Sequence, residues 1–108
     1  MSSQNKTKPT LWLSFDIEAD GPSPLCNNML SIGICGLDDN CVSHFEFEAN
    51  FLPLDGHISD EKTMSYFWSN PENKNAYDRL QINQKSNFEI MSQLSENFEK
   101  LSKIVKNV

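Results

Sequence analysis

The alternation of residues 11–18 constrains the fold of this chain more than any other feature of its sequence. Successive positions fall into two sets, the apolar Leu11, Leu13, Phe15 and Ile17 and the more polar Trp12, Ser14, Asp16 and Glu18. A period of two residues is that of a β-strand, whose side chains point to opposite faces of a sheet in turn. We therefore predict a strand here, with two carboxylates on one face near its end.

Two further segments predict strands. Residues 29–37 form an apolar run that ends at the turn residues Asp38, Asp39 and Asn40. In residues 41–49, Phe45 and Phe47 alternate with polar neighbours, which is typical of a strand with one packed and one wet face. Three consecutive strands with short connections most simply form an antiparallel meander.

The rest of the sequence predicts helices. Residues 59–68 and 72–80 are expected to form at most short ones, whereas Ser86 and Glu89 form a capping box that begins a longer one. That helix carries an apolar stripe at helical spacing, made of Ile90, Met91, Leu94, Phe98, Leu101, Ile104 and Val105. Lys103 and Lys106 would mark its end. The predicted class is α/β (α+β), one domain over residues 11–108 behind a disordered leader, residues 1–10.

Charge limits the ways in which this chain could act on nucleic acid. Its 15 acidic and 9 basic side chains give a net charge of −6, and it has a single arginine. Binding by phosphate neutralisation alone requires clustered basic residues. Any chemistry on nucleic acid would therefore depend on bound cations.

Cysteine spacing and hydropathy address the compartment. Cys26, Cys35 and Cys41 are odd in number and contain no Cys-x-x-Cys pair, which fits neither a disulfide scaffold nor a zinc site. Reduced thiols indicate an intracellular protein, cytoplasmic or nuclear. No apolar run approaches the ~18 residues that span a bilayer, so no membrane partner is expected.

Asp16 and Glu18 are the candidate site. Two residues apart on a strand, their Cα atoms lie about 7 Å from each other on one face of the sheet. Mutual repulsion makes this pair costly unless a cation compensates it, and hard ions such as Mg²⁺ or Mn²⁺ select carboxylate oxygens. The alternative is two solvated carboxylates at the point where a strand runs into a loop.

The setting of this pair resembles a known family. The segment DIEADG at residues 16–21, followed by a loop and by MLSIGI at residues 29–34, is similar to the first motif and second strand of the DEDD-type 3′-to-5′ exonucleases, the superfamily of RNase T and the proofreading exonucleases. Residues 60–68, with Thr63 and Met64 before an aromatic cluster, and the later capped helix follow in the order of one branch of that superfamily. The resemblance implies a ribonuclease H-like fold, in which three antiparallel strands precede a helix and a fourth strand that pairs with the first.

The resemblance also implies roles for individual residues. Asp16 would bridge two divalent ions, Mg²⁺ or Mn²⁺, and Glu18 would bind one of them. Glu18 and Ala19 would contact the substrate, the 3′ end of a single-stranded RNA or DNA. Two such ions stabilise both the attacking and the leaving oxygen of a phosphodiester.

The remaining motifs of that family have no match in this sequence. They are a second Asp and a His or Tyr paired with a further Asp, and Asp55, Asp60 and Asp78 do not replace them. We expect the chain to be the N-terminal part of an exonuclease domain, truncated before the fourth strand. Its partner would be a missing C-terminal half or a second copy, and its activity alone would be orders of magnitude below that of a complete enzyme.

A non-enzymatic role stays open beside this expectation. The chain could be a catalytically inactive fragment, or an interaction module that pairs its exposed first strand with another protein by strand addition. Two further predictions concern aromatic residues, which could either stack on the bases of a nucleic acid or pack in the core. Trp12 is expected to pack, and so is the Tyr66–Phe67–Trp68 cluster, because no basic residues surround it.

Overall fold

The computed structural model describes residues 10–104 and has an α+β fold with a four-stranded, mixed, open sheet. The strands are β1 Trp12–Ala19, β2 Met29–Leu37, β3 Ser43–Phe51 and the short β4 Gln84–Lys85, in the order β1-β2-β3-β4. β1 pairs antiparallel with β2 and β2 antiparallel with β3, whereas β4 runs parallel to β3. The predicted α+β class and the three-stranded meander are confirmed.

The sheet differs from the prediction in the bounds of its strands and in an added strand. β1 begins and ends one residue later than expected, and β3 ends at Phe51 and not at Ala49. β3 begins two residues later than expected, because Asp38 keeps the preceding residues in a turn: its carboxylate accepts hydrogen bonds from the backbone N–H groups of Asn40 and Val42. β4 was not predicted, since two residues carry no readable alternation. β4 lies at the opposite edge of the sheet from β1 and precedes the last helix.

Three helical elements follow the meander. The first is a single turn, α1 Glu61–Thr63, which continues as the π-helical segment Met64–Trp68. The second is α2 Pro71–Leu80, capped by the Asn70 side chain. The third is α3 Asn87–Ser102, and the Ser86 hydroxyl accepts the Glu89 N–H at 3.2 Å, as the capping box predicts.

The core lies between α3 and one face of β2 and β3. Its central cluster consists of Ile32, Ile34, Phe51, Ile90 and Leu94, with Phe45, Phe47, Ala49 and Phe98 packed around it. A smaller cluster joins Leu11 to Leu101. Burial of this apolar surface is the main term that stabilises the fold.

The predicted apolar stripe of the last helix is partly wrong. Ile90, Leu94 and Leu101 are buried, but Met91 is 43% exposed, and Ile104, which is 58% exposed, lies beyond Ser102, where α3 ends. Val105 and Lys106 lie outside the described residues, as do residues 1–9 of the predicted leader. Thr10, the last residue of that leader, forms a single β-bridge.

No helix within residues 10–104 is long and apolar enough to cross a membrane. The three cysteines are free thiols.

Candidate functional site

The register of the sheet places the candidate residues on the face opposite α3. Asp16 of β1 lies opposite Gly33 of β2, which in turn lies opposite Glu48 of β3. Residues directly opposite one another on neighbouring strands share a face. Asp16 and Glu48 are therefore two strand spacings apart, about 10 Å, on the same face of the sheet.

Gly33 leaves the space between these two carboxylates open. A Cβ atom at Gly33 would meet only the Asp16 backbone oxygen, at 3.9 Å. Two adjoining depressions of about 500 and 370 Å³ meet here, and we call them together the sheet groove. Both depressions are lined by Asp16, Gly33 and Glu48; the larger also by Ser14, Cys35 and Glu46, and the smaller also by Ser31, Asn50 and Arg79.

Glu18 lies at the end of β1, opposite Ser31, and is partly buried. Burial raises the pKa of its carboxyl above the ordinary value, and the negative charge of Asp16 raises this pKa further. The two carboxylates are thus close enough to repel each other through space, as their spacing predicts. A cation between them would relieve both effects.

An indole docks against the half-buried C-terminal end of β1. Trp68, only 4% exposed, donates a hydrogen bond of 2.9 Å from its Nε1 to the carbonyl oxygen of Ala19. Its ring contacts the Tyr77 ring of α2 at 5.5 Å between centroids. The π-helical segment and α2 are therefore joined to β1 one residue after Glu18.

A second anchor joins α2 to β3. The Asn50 side-chain amide donates to the carbonyl oxygens of Arg79, at 3.1 Å, and Ile82, at 2.8 Å. Arg79 lies in the last turn of α2 and Ile82 just after it, so these bonds attach the C-terminal end of α2 to β3. They also place Arg79 at the edge of the sheet groove.

Asp20, the third acidic residue of the DIEADG segment, has a structural role. Its carboxylate is 3% exposed and accepts hydrogen bonds from the Asn28 N–H at 2.6 Å, the Asn28 amide at 3.1 Å and the Ser59 hydroxyl at 3.0 Å. Its backbone oxygen accepts the Asp60 N–H. Asp20 thus ties the end of β1 to two loops, and its lone pairs are engaged within the protein.

Ala19, the third residue of the predicted site, faces a different depression. It lines an apolar groove of about 300 Å³ with Ile17, Pro22, Met29 and Leu52, whereas Asp16 lines the sheet groove. A register shift between Glu18 and Ala19 separates the two. The structure therefore couples Asp16 with Glu18, and places Ala19 beside the pair on another surface.

The fit of a divalent ion to these residues can be judged from their donor atoms. Within residues 10–104, no three His, Cys, Asp or Glu side chains are grouped so as to hold a metal ion. Mg²⁺, however, keeps several waters and is commonly bound by one or two carboxylates together with substrate phosphates. Asp16 and Glu18 fit that partial role, as oxygen ligands whose mutual repulsion a cation would offset.

Three residues of the groove were missed in the sequence. Glu46 and Glu48 alternate with Phe45 and Phe47, so their exposure was readable, but their position beside Asp16 depends on a register that spans three strands. Arg79 lies 63 positions after Asp16 in a segment of weak pattern, and only its being the single arginine distinguishes it.

No protein-family model matches this sequence, and no curated protein is significantly similar to it.

Proposed function

We propose that this chain contributes Asp16 and Glu18 to the metal site of a 3′-to-5′ exonuclease of the DEDD type, acting on the 3′ end of single-stranded RNA or DNA. The observation that carries the proposal is the paired carboxylates near the C-terminal end of β1, where partial burial and the charge of Asp16 both raise the pKa of Glu18. The antiparallel order of β1, β2 and β3 is that of the first three strands of a ribonuclease H-like sheet and supports the same assignment.

Each residue has a definite part in the proposed chemistry. Asp16 and Glu18 would hold Mg²⁺ or Mn²⁺ through their carboxylate oxygens, and ions held there would neutralise charge on the scissile phosphodiester. Trp68 fixes the backbone after Glu18 through its hydrogen bond to the Ala19 carbonyl. Gly33 leaves the sheet groove open for a substrate backbone. Further ligands of a two-ion site would come from outside residues 10–104 or from another chain.

Metal binding is the first test of this proposal. We expect Mn²⁺ to bind the chain weakly, as measured by electron paramagnetic resonance of free Mn²⁺, and Asp16→Asn or Glu18→Gln to weaken binding by tenfold or more, on the scale of losing one charged contact of about 1.5–3 kcal/mol. Glu99→Gln, on α3 away from the groove, is the matched control and should leave binding unchanged. Equal binding by all four proteins would contradict the assignment.

Cleavage is the second test. A 5′-labelled RNA or DNA oligonucleotide, incubated with the chain and Mn²⁺, should shorten stepwise from its 3′ end, slowly, and only when Asp16 is intact. Two carboxylates supply a fraction of the catalytic groups, so we expect a rate several orders of magnitude below that of a complete enzyme. Internal cutting, or shortening that persists in Asp16→Asn, would exclude a 3′-to-5′ exonuclease built on Asp16.

A second function, an interaction module, is favoured by one observation. β1 is an edge strand of the described sheet, and its Phe15 and Ile17 side chains are 54% and 49% exposed. An exposed apolar edge can accept a strand from another protein through main-chain hydrogen bonds. Mn²⁺ binding that depends on Asp16 without any cleavage would favour this function over catalysis by the chain itself.

A further inference from the structure

Arg79 is a cation placed at an otherwise acidic groove. It is exposed, lines the sheet groove with Asp16 and Glu48, and forms no ion pair with any residue in the range 10–104. Lys74 on the same helix behaves differently, because its Nζ lies 2.7 Å from the Asp78 carboxylate. The guanidinium of Arg79 is thus free to bind a ligand, whereas the ammonium of Lys74 is already paired.

The backbone that carries Arg79 is firmly held. The Asn50 amide donates a hydrogen bond to the carbonyl of Arg79 itself, and Tyr77 of the same helix contacts Trp68. A binding residue on an anchored helix loses less conformational freedom when a ligand arrives than one on a loose loop. Position and anchoring therefore favour a role in binding.

The chemistry of the groove indicates what Arg79 would bind. A guanidinium matches the oxygens of a phosphate in a two-bond fork, and it stays charged at any working pH. Lys85 of β4 lines the next depression, of about 420 Å³, together with Arg79 and Glu48. Arg79 and Lys85 thus lie on the β3 side of the groove, with Glu48 as their acidic neighbour, and Asp16 lies across Gly33 on β1.

We propose that Arg79 binds a backbone phosphate of single-stranded nucleic acid, next to the linkage that lies at Asp16 and Glu18, with Lys85 as the adjoining cation. This inference rests on the proposed function, and it names the part of the substrate that the groove recognises. Because the chain has a net charge of −6, attraction for the substrate would be local to this end of the groove.

Oligonucleotide binding tests this proposal. Fluorescence anisotropy of a labelled single strand whose 3′ linkages are phosphorothioate would be measured with Mg²⁺, as RNA and as DNA, at several salt concentrations. We expect Arg79→Ala to weaken binding about tenfold, as for loss of one charged hydrogen bond, and to reduce the slope of log K against log salt by about 0.7, as for loss of one phosphate contact. The affinity of Arg79→Lys should lie between those of the wild-type chain and Arg79→Ala, because lysine keeps the positive charge but cannot form the two-bond fork.

The controls separate this inference from the function on which it rests. Lys74→Ala, on the same helix, should bind as the wild-type chain does, and circular dichroism would show that each variant is folded. If Arg79→Ala unfolds, Arg79→Lys carries the comparison. Unchanged affinity and salt slope in the Arg79 variants, with Mg²⁺-dependent binding lost in Asp16→Asn, would overturn the phosphate contact and leave the proposed function standing. Absence of Mg²⁺-dependent binding by the wild-type chain would overturn both.

Discussion

At the residue scale, the three acidic residues of the DIEADG segment have three different environments. Asp16 is exposed in the sheet groove, Glu18 is partly buried beside it, and Asp20 is buried with its oxygens satisfied. Glu18 is the one that lowers the stability of the fold when ionised, because its carboxylate loses hydration near a like charge and has no cationic partner within the described residues. Such a cost is typical of a group retained for binding.

The raised pKa of Glu18 predicts how stability depends on pH. The folded state holds this proton more tightly than the unfolded state, so the contribution of Glu18 to stability is full below its unfolded pKa and is lost as pH rises through its folded pKa. We expect Glu18→Gln to be more stable than the wild-type chain at neutral pH, by a fraction of about 1 kcal/mol since water screens a partly exposed group. The two should converge at acidic pH.

Urea unfolding at a series of pH values measures this difference. Asp16→Asn is the partial control, because it removes repulsion but not burial, and should give a smaller gain at neutral pH. Added Mn²⁺ should stabilise the wild-type chain more than Glu18→Gln, since only a bound ligand shifts the folding equilibrium. A Glu18→Gln chain less stable than the wild type at neutral pH would show that this carboxylate helps to hold the fold.

Aromatic residues show the same dependence on surroundings. Trp12 was expected to pack, but it is 66% exposed and its indole donates to the Asp39 carboxylate at 2.9 Å. In the 66–68 cluster only Trp68 is buried, whereas Tyr66 and Phe67 are 79% and 48% exposed. The prediction of core packing was correct for Trp68 and wrong for Tyr66 and Phe67, because a single short helical segment can bury one face only.

At the element scale, the connection between β2 and β3 is organised by one side chain. The Asp38 carboxylate accepts from two backbone N–H groups and lies 2.8 Å from Nε2 of His44. These hydrogen bonds, that from His44 first, lower the pKa of Asp38 below its ordinary value. The turn they form forces Cys41 into the left-handed region, at φ 62°.

Cys41→Gly should relieve this local cost. A residue with a Cβ atom is destabilised by roughly 1–2 kcal/mol in the left-handed region. Glycine avoids this strain, but it loses more conformational freedom on folding, which offsets part of the gain in stability. We therefore expect the free energy of unfolding to rise by about 1 kcal/mol at most. Cys41→Ala, which removes the thiol but keeps Cβ, is the control for thermal unfolding and should give no gain. Equal stability of the two variants would mean that the turn tolerates Cβ without strain.

At the scale of the whole molecule, much apolar surface is left uncovered. The Cα radius of gyration is 17.3 Å, against about 13 Å for a compact domain of ~100 residues. α3 covers β2 and β3, whereas Phe15 and Ile17, on the same face of β1, are exposed among the described residues. An edge strand with such residues is a template for association.

Concentration-dependent self-association should therefore depend on β1. We expect Phe15→Lys to lower the average mass of the chain in light scattering at high concentration, because a charge on an edge strand opposes pairing. Ile58→Lys changes a residue that is 71% exposed outside the strands and should have no such effect. If the two variants associate equally, β1 is not the surface through which copies meet.

Local pattern was enough to predict β1, β2, the start of α3 and the pair Asp16–Glu18, because alternation, helical spacing and capping depend on neighbouring residues. Tertiary structure decided the rest. It set Asp16, Gly33 and Glu48 in one row, buried Asp20, and brought Arg79 to the groove. Strand register and helix docking depend on contacts between residues far apart in the chain, such as Asn50 with Arg79 and Trp68 with Ala19, and no local period encodes them.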